Sequence, residues 1–260
     1  MSSQDGLHTA INRPFRSFSA AFTFLTVFPW FKTIDHEQRF FRAAIFYFTI
    51  VGLLTGTVVG FGGLVLASVA PPLVVAVAVT VSMSFISGFL HLDGLADTAD
   101  GFMSSRGREQ CLVIMKDSRI GVMGAAAIAA VLMAKTSALA SLPAAELVST
   151  VMIAAAAGRT ATVVMMSALP YARSEGGLGN LFSDTDTGKY AAIISVCLLG
   201  VVMILLAPQR MVLLVGISAI TVVLFCSWCV RKIGGYTGDT LGAVCELTEV
   251  AVLSGAVLNI

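Results

Sequence analysis

Charged residues are scarce in this sequence of 260 residues. Asp, Glu, Lys and Arg make up 12% of it and apolar residues 57%, whereas about 25% of the residues in a typical soluble domain are charged. This composition excludes an ordinary soluble domain and predicts a multi-pass protein embedded in a lipid bilayer. The net charge of +1 gives no sign of a nucleic-acid partner.

Cysteines and targeting signals are also sparse. The five cysteines are odd in number and lie mostly in apolar segments, so they do not predict a disulfide framework. Cys226 and Cys229 have a metal-site spacing but no second pair, and we expect them to pack as small residues. The N-terminus lacks a basic stretch followed directly by an apolar core, so we expect no secretory signal.

Long apolar runs dominate the rest of the chain. Six of them approach the roughly 20 residues that a bilayer core requires, and they cover about 43–69, 72–91, 121–142, 146–169, 189–207 and 211–230. A last segment, 241–260, either spans the membrane or lies partly in its interface. Residues 1–14 are predicted to be flexible, and 15–31 to form an interfacial or re-entrant helix. We therefore expect one all-α domain, a polytopic transmembrane helical bundle of six to seven spans.

Glycines recur in the first of these runs. Gly52, Gly56 and Gly60 are spaced four residues apart, which allows two helices to approach closely, within a chain or across a dimer. We favour packing within the chain, and a homo-oligomer stays open.

The connections between the runs alternate between two kinds. Those at 68–72, 141–145 and 207–210 are tight, and those at 92–120, 170–188 and 231–240 are long or polar. The polar connections and the N-terminus therefore share one side. That side carries nearly all basic residues, namely Arg13, Arg16, Lys32, Arg39, Arg42, Arg106, Arg108, Lys116, Arg119, Arg173, Lys189, Arg231 and Lys232. The other side has Arg210, with Lys135 close enough to extend toward it. The positive-inside rule makes the polar side cytoplasmic.

Three aspartates open the polar segment 92–120. In a helix, Asp93, Asp97 and Asp100 would lie within about 60° of one another. Carboxylates on one face repel unless a cation lies between them, and Mg²⁺ prefers oxygen ligands and takes others from water and substrate phosphates. We therefore predict a magnesium site here, in a cytoplasmic catalytic segment. The alternative is a solvated helix end with acids near its N-terminus.

Several cations could complete a phosphate site. Lys116 and Arg119 directly precede a span and could bind phosphate oxygens, or they could simply belong to the basic residues that mark the cytoplasmic side. Asp117 between them is either their ion-pair partner or a further metal ligand. Arg159 lies well inside a span, where an arginine faces a polar cavity or a charged partner.

Two later segments add candidate residues. Arg173 lies in the glycine-rich stretch 171–179, which is either a lid over the substrate or an ordinary surface loop. Thr237 and Asp239 lie at a loop-to-helix junction, where backbone N–H groups can hold an anion, although Asp239 could equally be only the N-cap. Glu246 follows on the same helical face and is predicted to contact substrate. His91 could be a ligand, a base or a structural residue.

Four motifs in these regions occur together in one known family. They are HLDGLADTADGF at 91–102, MKDSRIGVMG at 115–124, YAR at 171–173 and GYTGDTLGAVCELTE at 235–249, and FLTVFP at 24–29 is similar to the family's opening element. With these motifs the chain resembles the cobalamin synthase family, the adenosylcobinamide-GDP ribazoletransferases, over about residues 22–250. Leu92 stands where that family often has an acid.

The resemblance implies an integral, Mg²⁺-dependent enzyme of the bacterial inner membrane, with its active site facing the cytoplasm. It would join α-ribazole, or its 5′-phosphate, to adenosylcobinamide-GDP and release GMP. Asp93, Asp97 and Asp100 would hold one or two Mg²⁺ ions on the pyrophosphate. Lys116 and Arg119, with Arg159, would stabilise the leaving GMP, and one of the aspartates or Asp239 would accept the hydroxyl proton.

Two other functions stay open. A CDP-alcohol phosphotransferase also attacks a pyrophosphate with an alcohol, but its motif needs an Ala-Arg pair after Asp-Gly, where this chain has Leu95-Ala96-Asp97. A corrinoid or cation transporter would need acids along a transmembrane path. Here nearly all acids share one side, and Glu146 is the exception.

Overall fold

The fold is described by a computed structural model that covers residues 3–28, 42–173 and 185–258, with side chains at 14–28, 42–173 and 187–258. These residues form ten α-helices and no strand, which confirms the all-α prediction. The helices are α1 (Ser3–Leu25), α2 (Phe48–Ala67), α3 (Pro72–Phe85), α4 (Leu90–Met103), α5 (Arg108–Ile114), α6 (Val122–Ala140), α7 (Ala144–Ala168), α8 (Thr185–Leu206), α9 (Met211–Ile233) and α10 (Gly238–Ala256). The glycine-rich part of the predicted lid, 174–179, lies outside the described residues. All five cysteines are free, and Cys229 is buried.

Five helices, α2, α6, α7, α8 and α9, are long and apolar enough to cross a membrane, which confirms a polytopic bundle. The most apolar stretch of α7 is 78% buried, against 39% or less in the other four, so α7 is the central helix. Glycines let α2 approach it: a Cβ at Gly52, Gly56 or Gly60 would lie 2.7, 2.7 or 2.9 Å from the α7 backbone. The prediction that these glycines pack within the chain is confirmed.

The predicted span 72–91 is not one straight helix, because the helix breaks before its end. α3 ends at Phe85, and α4 begins at Leu90 at 84° to it. Gly88 and Phe89 each have a φ of 61°, a left-handed conformation that side chains other than glycine rarely adopt. Apolar residues continue through the break, so hydropathy did not reveal it. α4 therefore runs across the direction of α3 and is not one of the five spanning helices.

α10, whose role the sequence leaves open, runs the length of the bundle. Its N-terminus lies beside α4, and the carbonyl of Ala256 at its C-terminus accepts a hydrogen bond from Arg210 in the α8–α9 turn. Arg210 also pairs with Glu146 at the start of α7 at 3.0 Å. The molecule thus has a polar end, which carries α4 and α5, and an opposite end, which carries the turns at 68–71, 141–143 and 207–210. Most of α10 is buried, so its acids contact protein rather than lipid.

α1 begins at Ser3 and so includes most of the segment predicted to be flexible. Apolar residues recur there at helical spacing, at Leu7, Ile11, Phe15, Phe18 and Phe22, which favours one amphipathic helix. Directly after α1 the chain contacts the segment between α3 and α4, where the Val27 N–H donates a hydrogen bond to the Ile86 carbonyl at 2.9 Å. The end of α1 therefore lies at the polar end of the bundle.

Candidate active site

α4 and α10 cross closely because each has a glycine at the crossing. A Cβ on Gly94 would lie 2.6 Å from the Asp239 carbonyl oxygen, and one on Gly242 would lie 2.9 Å from the His91 carbonyl oxygen. A side-chain carbon does not fit at such distances, so the crossing requires glycine at both positions. It brings the first turn of α10 beside the aspartates of α4.

Asp93 of α4 and Asp239 of α10 line one cavity at this crossing, and Asp97 and Asp100 follow on α4. Burial, together with the negative charges of Asp239, Asp93 and Asp100, raises the pKa of Asp97 from 3.8 to about 7, and the charge of Arg173 opposes this shift. Burial also raises the pKa of Asp239, again opposed by Arg173. The site thus holds more negative charge than its one arginine can balance.

Asp100, which the sequence predicts to be a magnesium ligand, is bound to the backbone of α6. Its Oδ2 accepts a hydrogen bond from the Gly121 N–H at 2.7 Å, and its Oδ1 accepts one from the Gly124 N–H at 2.8 Å. These N–H groups have no partner within their own helix, so Asp100 caps α6 from α4. Its role as a metal ligand stays a prediction.

The chain after α7 pairs with the chain before α10. The Ala172 N–H donates to the Tyr236 carbonyl at 2.8 Å, and the Tyr236 N–H donates to the Pro170 carbonyl at 2.9 Å. The rings of Tyr171 and Tyr236 meet edge to face, with centroids 5.4 Å apart. This short pairing fixes the next residue, Arg173, beside the start of α10.

Arg173 is ion-paired with Asp239 but keeps free donors. Its Nη2 donates to Asp239 Oδ2 at 2.8 Å, while its Nε is buried and has no hydrogen-bond partner among the described residues. Because a guanidinium has five N–H groups, Arg173 can bind a second anion.

Thr237 is the N-cap of α10 and accepts a hydrogen bond from the Thr240 N–H at 3.3 Å. The alternative prediction that Asp239 is only the N-cap is therefore wrong.

A cavity of about 250 Å³ opens beside these charges. It is lined by Phe24, Leu25, Phe48, Leu90, His91, Asp93, Gly94, Thr162, Met166, Tyr171, Arg173, Gly238, Asp239, Leu241 and Gly242. Three predicted site residues, Asp93, Arg173 and Asp239, are among them. Burial, and then the charge of Arg159, lower the pKa of His91 to about 3, so its imidazole is neutral. No sequence pattern indicated Thr162 or the apolar wall of the cavity.

The predicted phosphate-binding residues after α5 lie elsewhere. Asp117 accepts hydrogen bonds from the Arg119 guanidinium at 3.0 and 2.7 Å, and this pairing lowers the pKa of Asp117 to about 2. Arg119 is 87% exposed, Lys116 is also exposed, and none of the three lines the cavity. Of the two readings of Asp117, the geometry supports the ion-pair partner.

Two other predicted substrate contacts belong to a buried charge network. Glu246 accepts a hydrogen bond from Lys135 at 2.7 Å, and Glu249 accepts hydrogen bonds from both Lys135 and Arg159. All four side chains are at most 2% exposed, and they connect α6, α7 and α10. The prediction that Lys135 extends toward the opposite end is wrong, because these two acids hold it inside the bundle.

Arg108 on α5 is a further positioning residue that the sequence analysis did not single out. It donates to the Ile233 carbonyl at 2.8 Å and to the Ala172 carbonyl at 2.7 Å, and so ties the end of α9 to the segment that carries Arg173. The partners lie 125 and 64 residues away, too far for a local pattern to reveal them.

The donor set suits a hard divalent cation. Asp93, Asp97 and Asp239 offer carboxylate oxygens that repel one another, which is the chemistry that Mg²⁺ relieves. In the described part of the chain, no three His, Cys, Asp or Glu side chains are already arranged to hold a metal ion. Mg²⁺ is bound through one or two carboxylates and substrate phosphates, so a pair of these aspartates is sufficient for it.

Comparison with known proteins places the chain among related sequences. Residues 17–257 match the family described as Cobalamin-5-phosphate synthase. A protein of Roseiflexus sp. (strain RS-1) is 40% identical over 95% of this chain and 91% of its own length. Proteins of Clostridium acetobutylicum and Desulforamulus reducens are 35% and 34% identical, each over 92% of this chain and over 94% and 95% of their own lengths. All three are named adenosylcobinamide-GDP ribazoletransferase. No solved structure matches the chain.

Proposed function

The chain belongs to the Cobalamin-5-phosphate synthase family, and on this premise we propose that it transfers cobinamide phosphate from adenosylcobinamide-GDP to α-ribazole or its 5′-phosphate. The relatives are named for this reaction. One observation carries the proposal for the site: Asp93, Asp239 and Arg173 line one cavity, and Asp97 lies close enough for its pKa to respond to all three. Acids and an arginine in this arrangement suit transfer of a charged phosphoryl group.

In the proposed reaction, the ribazole hydroxyl oxygen attacks the phosphorus bonded to cobinamide. A new P–O bond forms, and the P–O bond to GMP breaks, with GMP taking the electron pair. Asp239 accepts the hydroxyl proton, since burial has already raised its pKa. Arg173 binds a phosphate oxygen through its free donors. Asp93 and Asp97 would hold Mg²⁺, which would neutralise the negative charge of the pyrophosphate. Asp100 would support this site by joining α4 to the start of α6.

The other predicted residues take positioning roles in this proposal. Arg159 and Glu246 stabilise the helices that carry the site, through the network with Lys135 and Glu249. Lys116 and Arg119 lie on the exposed surface near α5, where they can attract an anionic substrate but do not touch it in the cavity.

We also propose that the polar end faces the cytoplasm of a bacterial inner membrane. The described basic residues of that end are Arg16, Arg42, Arg106, Arg108, Lys116, Arg119, Arg173, Lys189, Arg231 and Lys232, whereas the opposite end has Arg210. An excess of Lys and Arg marks the cytoplasmic side of a membrane protein.

Purified protein in lipid, given adenosylcobinamide-GDP, α-ribazole and Mg²⁺, should release GMP and form a corrinoid with an attached lower base. Asp93→Asn should reduce this turnover about 100-fold or more, because it removes charge that acts on the transition state. Glu109→Gln, an exposed change on α5 at the same end, is the control and should keep wild-type activity.

Two outcomes would contradict the proposal. Release of CMP from a CDP-activated lipid, without GMP from the corrinoid substrate, would favour a CDP-alcohol phosphotransferase. Metal-dependent uptake of a corrinoid by proteoliposomes, without nucleotide release, would favour a transporter.

A further inference from the structure

The cavity has two chemically different sides. Asp93, Asp239 and Arg173 carry charge on one side, and apolar side chains of α1, α2, α4, α7 and α10 form the other. The apolar side is aromatic where α1 meets α2, because the rings of Phe24 and Phe48 stack with centroids 6.0 Å apart and an angle of 21° between their planes. A ligand that fits both sides has a charged or hydroxylated part and a flat apolar part.

The size of the cavity restricts which of the two proposed substrates can enter it. Its volume is about 250 Å³, below the roughly 300–1,000 Å³ of pockets that enclose drug-sized molecules. A corrin macrocycle with its side chains is larger than such a pocket. A nucleoside with a fused two-ring base is small enough to place its base inside and its sugar at the mouth.

We propose that this cavity is the binding site of the nucleoside substrate, with its flat apolar base beside Phe24, Phe48 and Met166 and its ribose toward Asp93 and Asp239. The corrinoid then stays outside the cavity and presents only its pyrophosphate to the charged side. This inference rests on the proposed function and adds the place and the chemical class of the acceptor.

The orientation of the nucleoside in the cavity follows from the polarity of the two sides. Burial of the apolar base against aromatic and aliphatic side chains is favourable, whereas a base with many polar groups would lose hydrogen bonds to water there. The ribose hydroxyls need acceptors, and the carboxylates of Asp93 and Asp239 supply them. The acceptor hydroxyl is thereby placed next to Asp239, which takes its proton in the proposed reaction.

The test is to fill the apolar side of the cavity with a tryptophan side chain and to measure the KM of each substrate separately. Leu241→Trp places a large side chain at the cavity, and Leu247→Trp is the matched control, since both leucines are partly buried on α10 but only Leu241 lines the cavity. We expect Leu241→Trp to raise the KM for α-ribazole about tenfold or more, because the base loses contacts equivalent to an aromatic stack. The KM for adenosylcobinamide-GDP should stay within about twofold. Leu90→Trp, at a cavity position that is 43% exposed, provides a second variant if the first does not fold.

Direct binding separates this inference from the proposed function. α-Ribazole alone, titrated by the fluorescence of its benzimidazole, should bind the wild-type and Leu247→Trp proteins and bind Leu241→Trp at least about tenfold more weakly. Equal binding to all three, with normal wild-type turnover, would overturn the inference and leave the function intact. Equal loss in Leu241→Trp and Leu247→Trp would overturn it as well. Absence of wild-type turnover with both substrates would instead contradict the proposed function.

Discussion

Asp97 is the residue at which the electrostatics of the site are most unfavourable without a cation. Its pKa is about 7 in the folded protein, against an ordinary value of 3.8, because burial and three neighbouring acids disfavour its charged form. A raised acid pKa means that the folded state binds a proton more tightly than the unfolded state does. The contribution of Asp97 to stability is therefore most favourable below about pH 4, becomes less favourable as the pH rises to about 7, and is constant above that.

Replacing this carboxyl should separate stability from function. In the absence of divalent cations, we expect Asp97→Asn to raise the thermal midpoint at pH 8, because the unfavourable charge is gone. The gain should shrink as the pH falls and be close to zero at pH 4, where wild-type Asp97 is neutral. Thermal unfolding in detergent with EDTA measures this, and turnover with Mg²⁺ should be lost at the same time. A lower midpoint at pH 8 would show that Asp97 is stabilised by partners rather than destabilised by neighbours.

Asp100 differs from its neighbours because both of its oxygens are engaged by the start of α6. Asp100→Asn keeps one acceptor and loses the charge that favours a helix N-terminus, so it should lower the free energy of unfolding by about 1 kcal/mol. Its loss of turnover at saturating Mg²⁺ should be smaller than that of Asp93→Asn. Equal losses in the two variants would support Asp100 as a direct metal ligand instead.

The sequence predicts the residue types of the site better than their contacts. The period of the helix placed three aspartates on one face, and the loop-to-helix junction supplied Asp239. The contacts of Asp100 with Gly121 and of Arg173 with Asp239 join residues 21 and 66 positions apart. A pattern in one helix cannot show them, because they depend on how two helices cross.

Among the helices, α6, α7 and α10 are connected by ion pairs in the middle of the bundle. Lys135 and Arg159 balance Glu246 and Glu249 in charge, and Glu249 is the partner that both cations share. Buried charges are tolerated when they are paired, and removing one partner leaves a charge without compensation. The network thereby holds α10, and with it Asp239, in register with the rest of the bundle.

The two glutamates should differ in their effect on stability. Glu249→Gln deprives Arg159 of its carboxylate partner and should lower the free energy of unfolding by about 3–5 kcal/mol. Glu246→Gln should have a smaller effect, because Lys135 keeps Glu249. Unfolding in SDS, with Glu109→Gln as an exposed control, measures both differences. A larger loss of unfolding free energy for Glu246→Gln than for Glu249→Gln would mean that Lys135, rather than Arg159, is the cation with a single carboxylate partner.

Hydropathy predicts the five spanning helices, including the buried α7, and is least informative where a buried helix carries charged residues. α2, α6, α7, α8 and α9 each fall close to their predicted apolar runs. α10 carries acids at 246 and 249 and so does not resemble a span, yet it runs through the bundle because the other helices shield it from lipid. The α3–α4 break is hidden for a related reason, since its cause is backbone conformation at Gly88 and Phe89 rather than polarity.

At the scale of the whole molecule, chemistry and charge are concentrated at one end. The cavity, the four aspartates and most basic residues lie at the polar end, and the opposite end consists of tight turns held by the Arg210–Glu146 pair. Even α10 follows this division, because its acid-bearing start lies at the site and its last turn lies beside Arg210. A single measurement of orientation therefore assigns every loop and the active site to a side of the membrane.

Cysteine labelling in spheroplasts can make that measurement. In a background with the exposed Cys197 changed to serine, Gln209→Cys should react with a membrane-impermeant maleimide in intact spheroplasts, because its turn lies at the end proposed to face outward. Ser105→Cys, exposed after α4 at the polar end, should react only after permeabilisation. Both variants should keep activity, since neither position lines the cavity. The reverse labelling pattern would place the aspartates on the outer face, where a site that uses cytoplasmic nucleotide-activated substrates could not work.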